Sequence, residues 1–284
     1  MRKAMRVAAM AAVAVGLVYG AGAHSAARAQ VLAARAQVLA ARAQVLAARA
    51  QETKGEVTLI APGGARAAVE QLIPGFEKKT GYKVKATFGS GGGTHKQVVQ
   101  GAPFDVPIVQ PPYQDVIDSG NVVKSSEKAL ATVAVGVAVK QGAPKPDISS
   151  PEAVKKMFAS AKSISYPDAA GGAAAGVTVD DMFKKLGIAD QVQSKVKRAQ
   201  GGAGAMQMVA KGDAEIGMTF LSEMEEPGID VVGPLPRSVA TPTSLVGFVS
   251  AHAKDPAAAK ALLDYLTSPE AAAVYKAQHM RPGK

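Results

Sequence analysis

"EVTLIAPGGARAAVEQLIPGFEKKTGYKVKATFGSGGGTHKQVVQGAPFDVPIV" occupies residues 56–109, and its reading decides the fold. Val57 to Ile60 make a short apolar run. From Ala65 onward, Ala65, Ala68, Val69, Leu72, Ile73 and Phe76 recur at helical spacing, and Thr80-Gly81 closes the helix with a glycine stop. "YKVKATF" then alternates apolar and polar residues, the pattern of a half-buried strand. The stretch therefore reads strand, glycine-rich turn, helix, strand, glycine-rich turn, helix. Strand and helix in alternation predict an α/β domain built on a mainly parallel sheet flanked by helices.

The rhythm continues downstream. "ATVAVGVAVK" reads as one glycine-interrupted strand, and "SPEAVKKMFASA" as a helix opened by Ser150 and Pro151. "SISYPD" reads as a strand, "VTVDDMFKKLGI" as a helix, "QSKVKRA" as a short strand and "AGAMQMVAKGDA" as a helix. "AEIGMTFLS", "GIDVVGPLP" and the longer "SLVGFVSAHA" read as strands, before a closing helical pair in "PAAAKALLDYLTSPEAAAVYKAQ".

Four glycine-rich turns each feed a helix: residues 61–68, 88–97, 166–176 and 199–206. In open α/β sheets ligands bind at the carboxyl ends of strands, and unpaired N–H groups at helix N-termini suit an anion. Two turns in each half of the chain suggest two similar lobes facing each other across a cleft. Gly63, Gly64 and Arg66 in the first turn, and Ser90, Gly91 and Thr94 in the second, are the candidate contacts there. Arg66 is the cationic candidate for a carboxylate-bearing ligand. None of the turns carries the Gly-Lys-Ser/Thr of a phosphate loop or the dinucleotide Gly-x-Gly-x-x-Gly pattern with its acidic residue.

Catalytic and metal motifs are sparse. His24, His95, His252 and His279 form no His-x-x-x-His or His-Glu-x-x-His pair, there is no cysteine, and no Gly-x-Ser-x-Gly elbow occurs. Neither a metal nor a cofactor is expected. The net charge of +10 is also unevenly placed: residues 1–50 hold seven basic residues and no acid, leaving 26 basic and 23 acidic residues in the remainder. With no tryptophan and a nearly balanced body, nucleic acid is not an expected partner.

"MRKAMR" followed by "VAAMAAVAVGLVYGAGA" reads as an export signal, basic and then apolar. The unit AQVLAAR is then copied without change, so Ala-Arg-Ala recurs ahead of glutamine four times. Each copy regenerates a cleavage pattern, and residues 1–29 are assigned to the signal, with cleavage as late as residue 50 as the alternative. The repeat and linker over residues 30–54 admit three readings: duplication of a short coding unit, a spacer or surface-binding helix, or a coiled coil.

The body of the chain resembles the type II periplasmic solute-binding proteins, within them the molybdate-binding-protein-like family. The segments that carry the likeness are "FEKKTGYKVKATFGSGG", "QGAPFDV", "KQGAPKPDIS", "VAKGDAEIGM", "PGIDVVGPLP" and "LLDYLTSPEAAAVY". The resemblance implies two α/β lobes joined by two crossover strands: residues 55–134 in lobe I, 135–239 in lobe II, and 240–284 returning to lobe I. It implies a monomer in the periplasm that captures a small anionic ligand, a molybdate-like oxyanion or an organic acid, and hands it to the membrane permease of an ABC transporter. Its ligand positions fall near Gly64, Ser90, Ala173, Gly202, Ala203 and Phe220; molybdate binders carry serine at the first of these and tyrosine at the last. "KQGAPKPDIS" and "PGIDVVGPLP" resemble most a divergent branch that includes periplasmic aconitate isomerases. An isomerase would need an acid or base, for which His95, Asp168 and Glu223 are the candidates.

Overall fold

The computed structural model describes residues 32–42 and 54–283. The expected export signal, and its latest cleavage point at residue 50, lie outside the described residues. Residues 32–42, within the heptapeptide repeat, are helical (α1) and exposed along their whole length, with Leu32, Val38 and Leu39 facing solvent. No described helix is long and apolar enough to cross a membrane.

Residues 54–283 belong to one compact unit. It begins with β1 (Gly55–Pro62), α2 (Arg66–Thr80), β2 (Tyr82–Gly89), α3 (Gly91–Val99), β3 (Val106–Val109), α4 (Gln114–Asp118) and β4 (Lys128–Val133). There follow β5 (Val135–Lys140), α5 (Pro151–Ser160), β6 (Ile164–Pro167), α6 (Ala174–Leu186), α7 (Ala189–Gln193), β7 (Val196–Ala199), α8 (Gly201–Lys211), β8 (Ile216–Phe220) and β9 (Ile229–Pro234). The chain closes with β10 (Thr243–Gly247), α9 (Pro256–Tyr265), α10 (Pro269–Ala277) and β11 (Arg281–Pro282).

Two sheets result. One has the order β11-β4-β10-β3-β1-β2 and the other β7-β6-β8-β5-β9. Expected as mainly parallel, each sheet is mixed. β1, β2 and β3 are parallel, as are β6, β7 and β8, because a helix returns the chain between them. β10 lies antiparallel to β3 and β4, and β5 antiparallel to β8 and β9, because these strands carry the chain from one sheet to the other. "ATVAVGVAVK" is accordingly two strands in two sheets rather than one, and the break falls at Ala134, not at Gly136.

Burial follows position in the sheet. β1, flanked on both sides, buries Val57, Leu59, Ile60 and Ala61, whereas β2 at the edge alternates half-buried and exposed residues. Helix α2 buries Ala68, Val69, Leu72 and Phe76 against this sheet and stops at Gly81, which sits in the left-handed region at φ 80°. In the second sheet's core, the ring of Phe183 meets Phe158 edge-on at 4.9 Å and Tyr166 at 5.8 Å.

Candidate functional site

The carboxyl ends of all six parallel strands converge on one cavity of about 380 Å³. Pro62, Gly89 and Gln110 stand at or just past the ends of β1, β2 and β3; Pro167, Ala199 and Phe220 end β6, β7 and β8. This is the edge where ligands bind in open α/β sheets.

Four helices begin at the same cavity, and their starts are unusual. Among the described helices of nine residues or more, α5, α9 and α10 begin with Ser150, Asp255 and Ser268, each accepting a hydrogen bond from its first turn. Ala65, Ala173 and Gln200 precede α2, α6 and α8 and give no such side-chain cap. The short 3-10 turn Gly63–Ala65 ahead of α2 is also uncapped. The Arg66 amide at the head of α2 donates to the Gly63 carbonyl, so on that wall the 3-10 turn itself, together with the starts of α6 and α8, presents N–H groups without a side-chain cap to whatever enters the cavity, at the positive end of each dipole. The fourth helix, α3, has Ser90, whose Oγ accepts from the Gly93 amide at 3.1 Å and whose own proton stays free to donate.

The glycines expected to form turns lie in part inside these helices. Gly91, Gly92 and Gly93 are the first turn of α3, and Gly201 and Gly202 open α8. α6 likewise starts at Ala174, three residues ahead of the expected "VTVDDMFKKLGI". Glycine disfavours helix interiors by about 1 kcal/mol, and close approach explains its presence. A Cβ on Gly202 would collide with the Glu223 carboxyl and come within 2.5 Å of Thr219 Oγ1.

Of the expected ligand positions, Gly63, Gly64, Ser90, Gly91, Ala173, Gly202 and Phe220 line the cavity, together with the acid/base candidates Asp168 and Glu223. Ala203 is exposed and outside the lining. Arg66 is also outside: its exposed guanidinium stacks 4.7 Å from the Phe88 ring centroid and pairs with Glu70 at 3.6 Å. Thr94 is fully buried behind Gly89 with its hydroxyl unpartnered. His95 turns away from the cavity to pair with Asp115 through Nε2 at 2.8 Å.

Besides Ser90, and Asp168 whose Oδ1 accepts from the Ala170 amide at 3.1 Å, two side chains give the cavity its chemistry. Glu223 Oε2 accepts from Thr219 Oγ1 at 2.5 Å, and a Cβ on Gly63 would lie 3.0 Å from Oε1. Burial among protein atoms raises its carboxyl above the ordinary range, opposed by the Thr219 hydroxyl, the Phe220 amide and the field of Arg66. Gln110, only 6% exposed, has neither its carboxamide oxygen nor its nitrogen in a hydrogen bond. A buried carboxamide without protein partners keeps an acceptor and two donors available to a ligand. No glycine marks Gln110 in the sequence; its place directly after the apolar run "VPIV" was the available signal.

Among the described residues, two hydrogen bonds join the cavity walls. The Gly92 amide donates to the Gly172 carbonyl at 2.9 Å, and Ser222 Oγ donates to the Gly64 carbonyl at 2.8 Å. Each bond joins an element that follows a strand of one sheet to an element that follows a strand of the other. Among the described residues no cluster of His, Asp or Glu has the geometry of a metal site.

Comparison with known proteins places this geometry in a family. Residues 57–281 match the model of the bacterial extracellular solute-binding protein family. An aconitate isomerase from a Pseudomonas species is 32% identical over 234 residues, covering 80% of this chain and 87% of the relative. A molybdate-binding protein of Azotobacter vinelandii is 33% identical over 228 residues, covering 78% and 88%. The solved periplasmic molybdate-binding protein of A. vinelandii superposes with a TM-score of 0.68 at 21% identity, over 80% of this chain and all of that one.

Proposed function

We propose that this chain, which belongs to the bacterial extracellular solute-binding protein family, captures a small anion between its two lobes and passes it to the membrane permease of an ABC transporter. The observation that carries the reading is the meeting of three starts without side-chain caps, the 3-10 turn ahead of α2 and the N-termini of α6 and α8, with the Ser90 hydroxyl at one cavity. Neutral N–H donors stabilise an anion without a counter-charge to release, so binding stays reversible. Relatives named for molybdate binding support an anionic ligand. The size favours an organic acid: about 380 Å³ falls within the usual range for small-molecule pockets and far exceeds the need of a single tetrahedral oxyanion. The protein acts as a monomer in the periplasm. A thermal-shift screen of carboxylates and oxyanions tests this, since a ligand at 100 times its Kd adds about 2.7 kcal/mol of stability. No shift with any of them contradicts the reading.

One observation favours a second reading, an isomerase of aconitate-like acids on the same fold. Glu223 is a carboxyl inside the cavity whose proton affinity is raised, and the relative at 32% identity is named for that activity. Moving a double bond along an unsaturated tricarboxylate requires a base that takes a proton from one carbon and returns it to another. His95 is outside the cavity lining and is paired with Asp115 instead. Following the conversion of trans-aconitate by NMR separates the two readings: turnover supports the isomerase, and binding without turnover removes it.

A further inference from the structure

We infer that Glu223 and Gln110 make the cavity selective for anions that also present an O–H group, a hydroxycarboxylate or monohydrogen phosphate, over anions that carry oxygens alone. The inference rests on the anion-capture reading above and specifies its ligand.

The uncapped 3-10 turn ahead of α2 and the uncapped starts of α6 and α8 supply donors only, and any oxyanion would satisfy them. Glu223 breaks that pattern. Its carboxyl lies between Gly63, at the start of α2, and Gly202, at the start of α8, in the same lining as those donors. One oxygen is engaged by Thr219 at 2.5 Å, and the other faces Gly63 at the cavity wall. While Glu223 is ionised, a sulfate or molybdate placed here sets like charges side by side, and in this part-buried position the repulsion is stronger than in bulk water. A ligand with a hydroxyl, or with one acid proton retained, turns the same contact into a charge-assisted hydrogen bond.

Gln110 supplies the matching second acceptor. Its carboxamide is buried, unpartnered and pressed against Gly91, where a Cβ would strike Oε1. A ligand O–H can donate to that oxygen while the amide nitrogen donates to an anionic oxygen, which meets both unmet needs of the side chain. The two residues reach the cavity from different sheets, Gln110 after β3 and Glu223 after β8, so full recognition needs both walls in place.

Titration calorimetry on the full chain tests the proposal with matched pairs that differ in the O–H group: malate against succinate, citrate against tricarballylate, and phosphate against sulfate at a pH where phosphate retains a proton. The first two pairs identify a hydroxycarboxylate as the source of the O–H, and the third identifies an acid proton. At least one pair is expected to favour the O–H-bearing member by about 10-fold or more, an energy of about 1.4 kcal/mol. Glu223→Gln should shrink that ratio toward unity, mainly by tightening the O–H-free member once the like charge is gone. Gln110→Leu should weaken the preferred ligand while leaving the fold's melting temperature near that of the wild type. Ratios near one in all pairs, or a ratio unchanged in Glu223→Gln, overturn the inference while leaving anion capture intact. Absence of binding by every anion overturns both.

Discussion

The amide N–H of Gly92 donates to the carbonyl oxygen of Gly172 at 2.9 Å, so two backbones, one from each lobe, meet with no side chain between them. Gly172 adopts φ +79°, and a Cβ there would stand 3.2 Å from Ser90 Oγ and 3.3 Å from Gly92 Cα. Gly172→Ala both strains the left-handed backbone, by about 1–2 kcal/mol, and wedges the walls apart. Affinity for the strongest ligand of the anion panel should fall about 5- to 30-fold, as read by calorimetry. Unaltered affinity would show that the two walls need not meet for binding.

Ser90 and Ser150 allow capping to be separated from ligand contact. Both accept an N-cap hydrogen bond at 3.1 Å, Ser90 from Gly93 and Ser150 from Ala153, but only Ser90 lines the cavity. Either serine changed to alanine should cost about 0.5–2 kcal/mol of stability. Only Ser90→Ala should also weaken binding, about 5- to 150-fold for a lost donor to a buried anion. Equal affinities in the two variants would remove Ser90 from the site.

Glu223 makes stability depend on pH in an identifiable direction. Its folded value lies above the ordinary 4.5, so between the two values the folded protein keeps a proton that the unfolded chain has released. Stability is therefore lost as pH rises from about 4.5 through the folded value. Glu223→Gln cannot titrate. It should match the wild type near pH 4 and exceed it near pH 7. Urea unfolding from pH 4 to 8 checks this, and a constant offset across the range would contradict it.

Asp105 anchors the first lobe away from the cavity. Buried to 3% exposure, it accepts from the Thr58 amide and hydroxyl, both at 2.7 Å, and from the Lys254 amide at 2.8 Å. Asp105→Ala strands those donors, at about 1–3 kcal/mol for each one left buried and unpaired. The expected result is a large drop in melting temperature with ligand affinity preserved in the fraction that folds.

The elements of residues 56–109 were legible because their apolar periods are local. Val57 to Ile60 and the run from Ala68 to Phe76 show their burial in the spacing alone. What the sequence concealed depended on distant partners. Nothing near Ala134 signals that the chain changes sheets there; pairing of β4 with β10, and of β5 with β8 and β9, decides it. The glycines of α3 and α8 looked like turns because their helix propensity is low, yet contacts with Gly172 and Glu223 place them inside helices. The glycine-rich segments stand at the carboxyl ends of the parallel strands, where their position between strand and helix put them in the sequence. Arg66 followed the sequence logic of a cation near an anion, but the Phe88 ring and Glu70 hold it outside.

The most direct test of the central claim is an amide NMR titration of the isotopically labelled protein with the best anion from the panel. The account requires the largest amide proton shifts at Gly64, Gly91, Ala174 and Gly202, the helix starts that line the cavity. Shifts concentrated at the capped starts of α5, α9 and α10, or spread evenly over the surface, would contradict it.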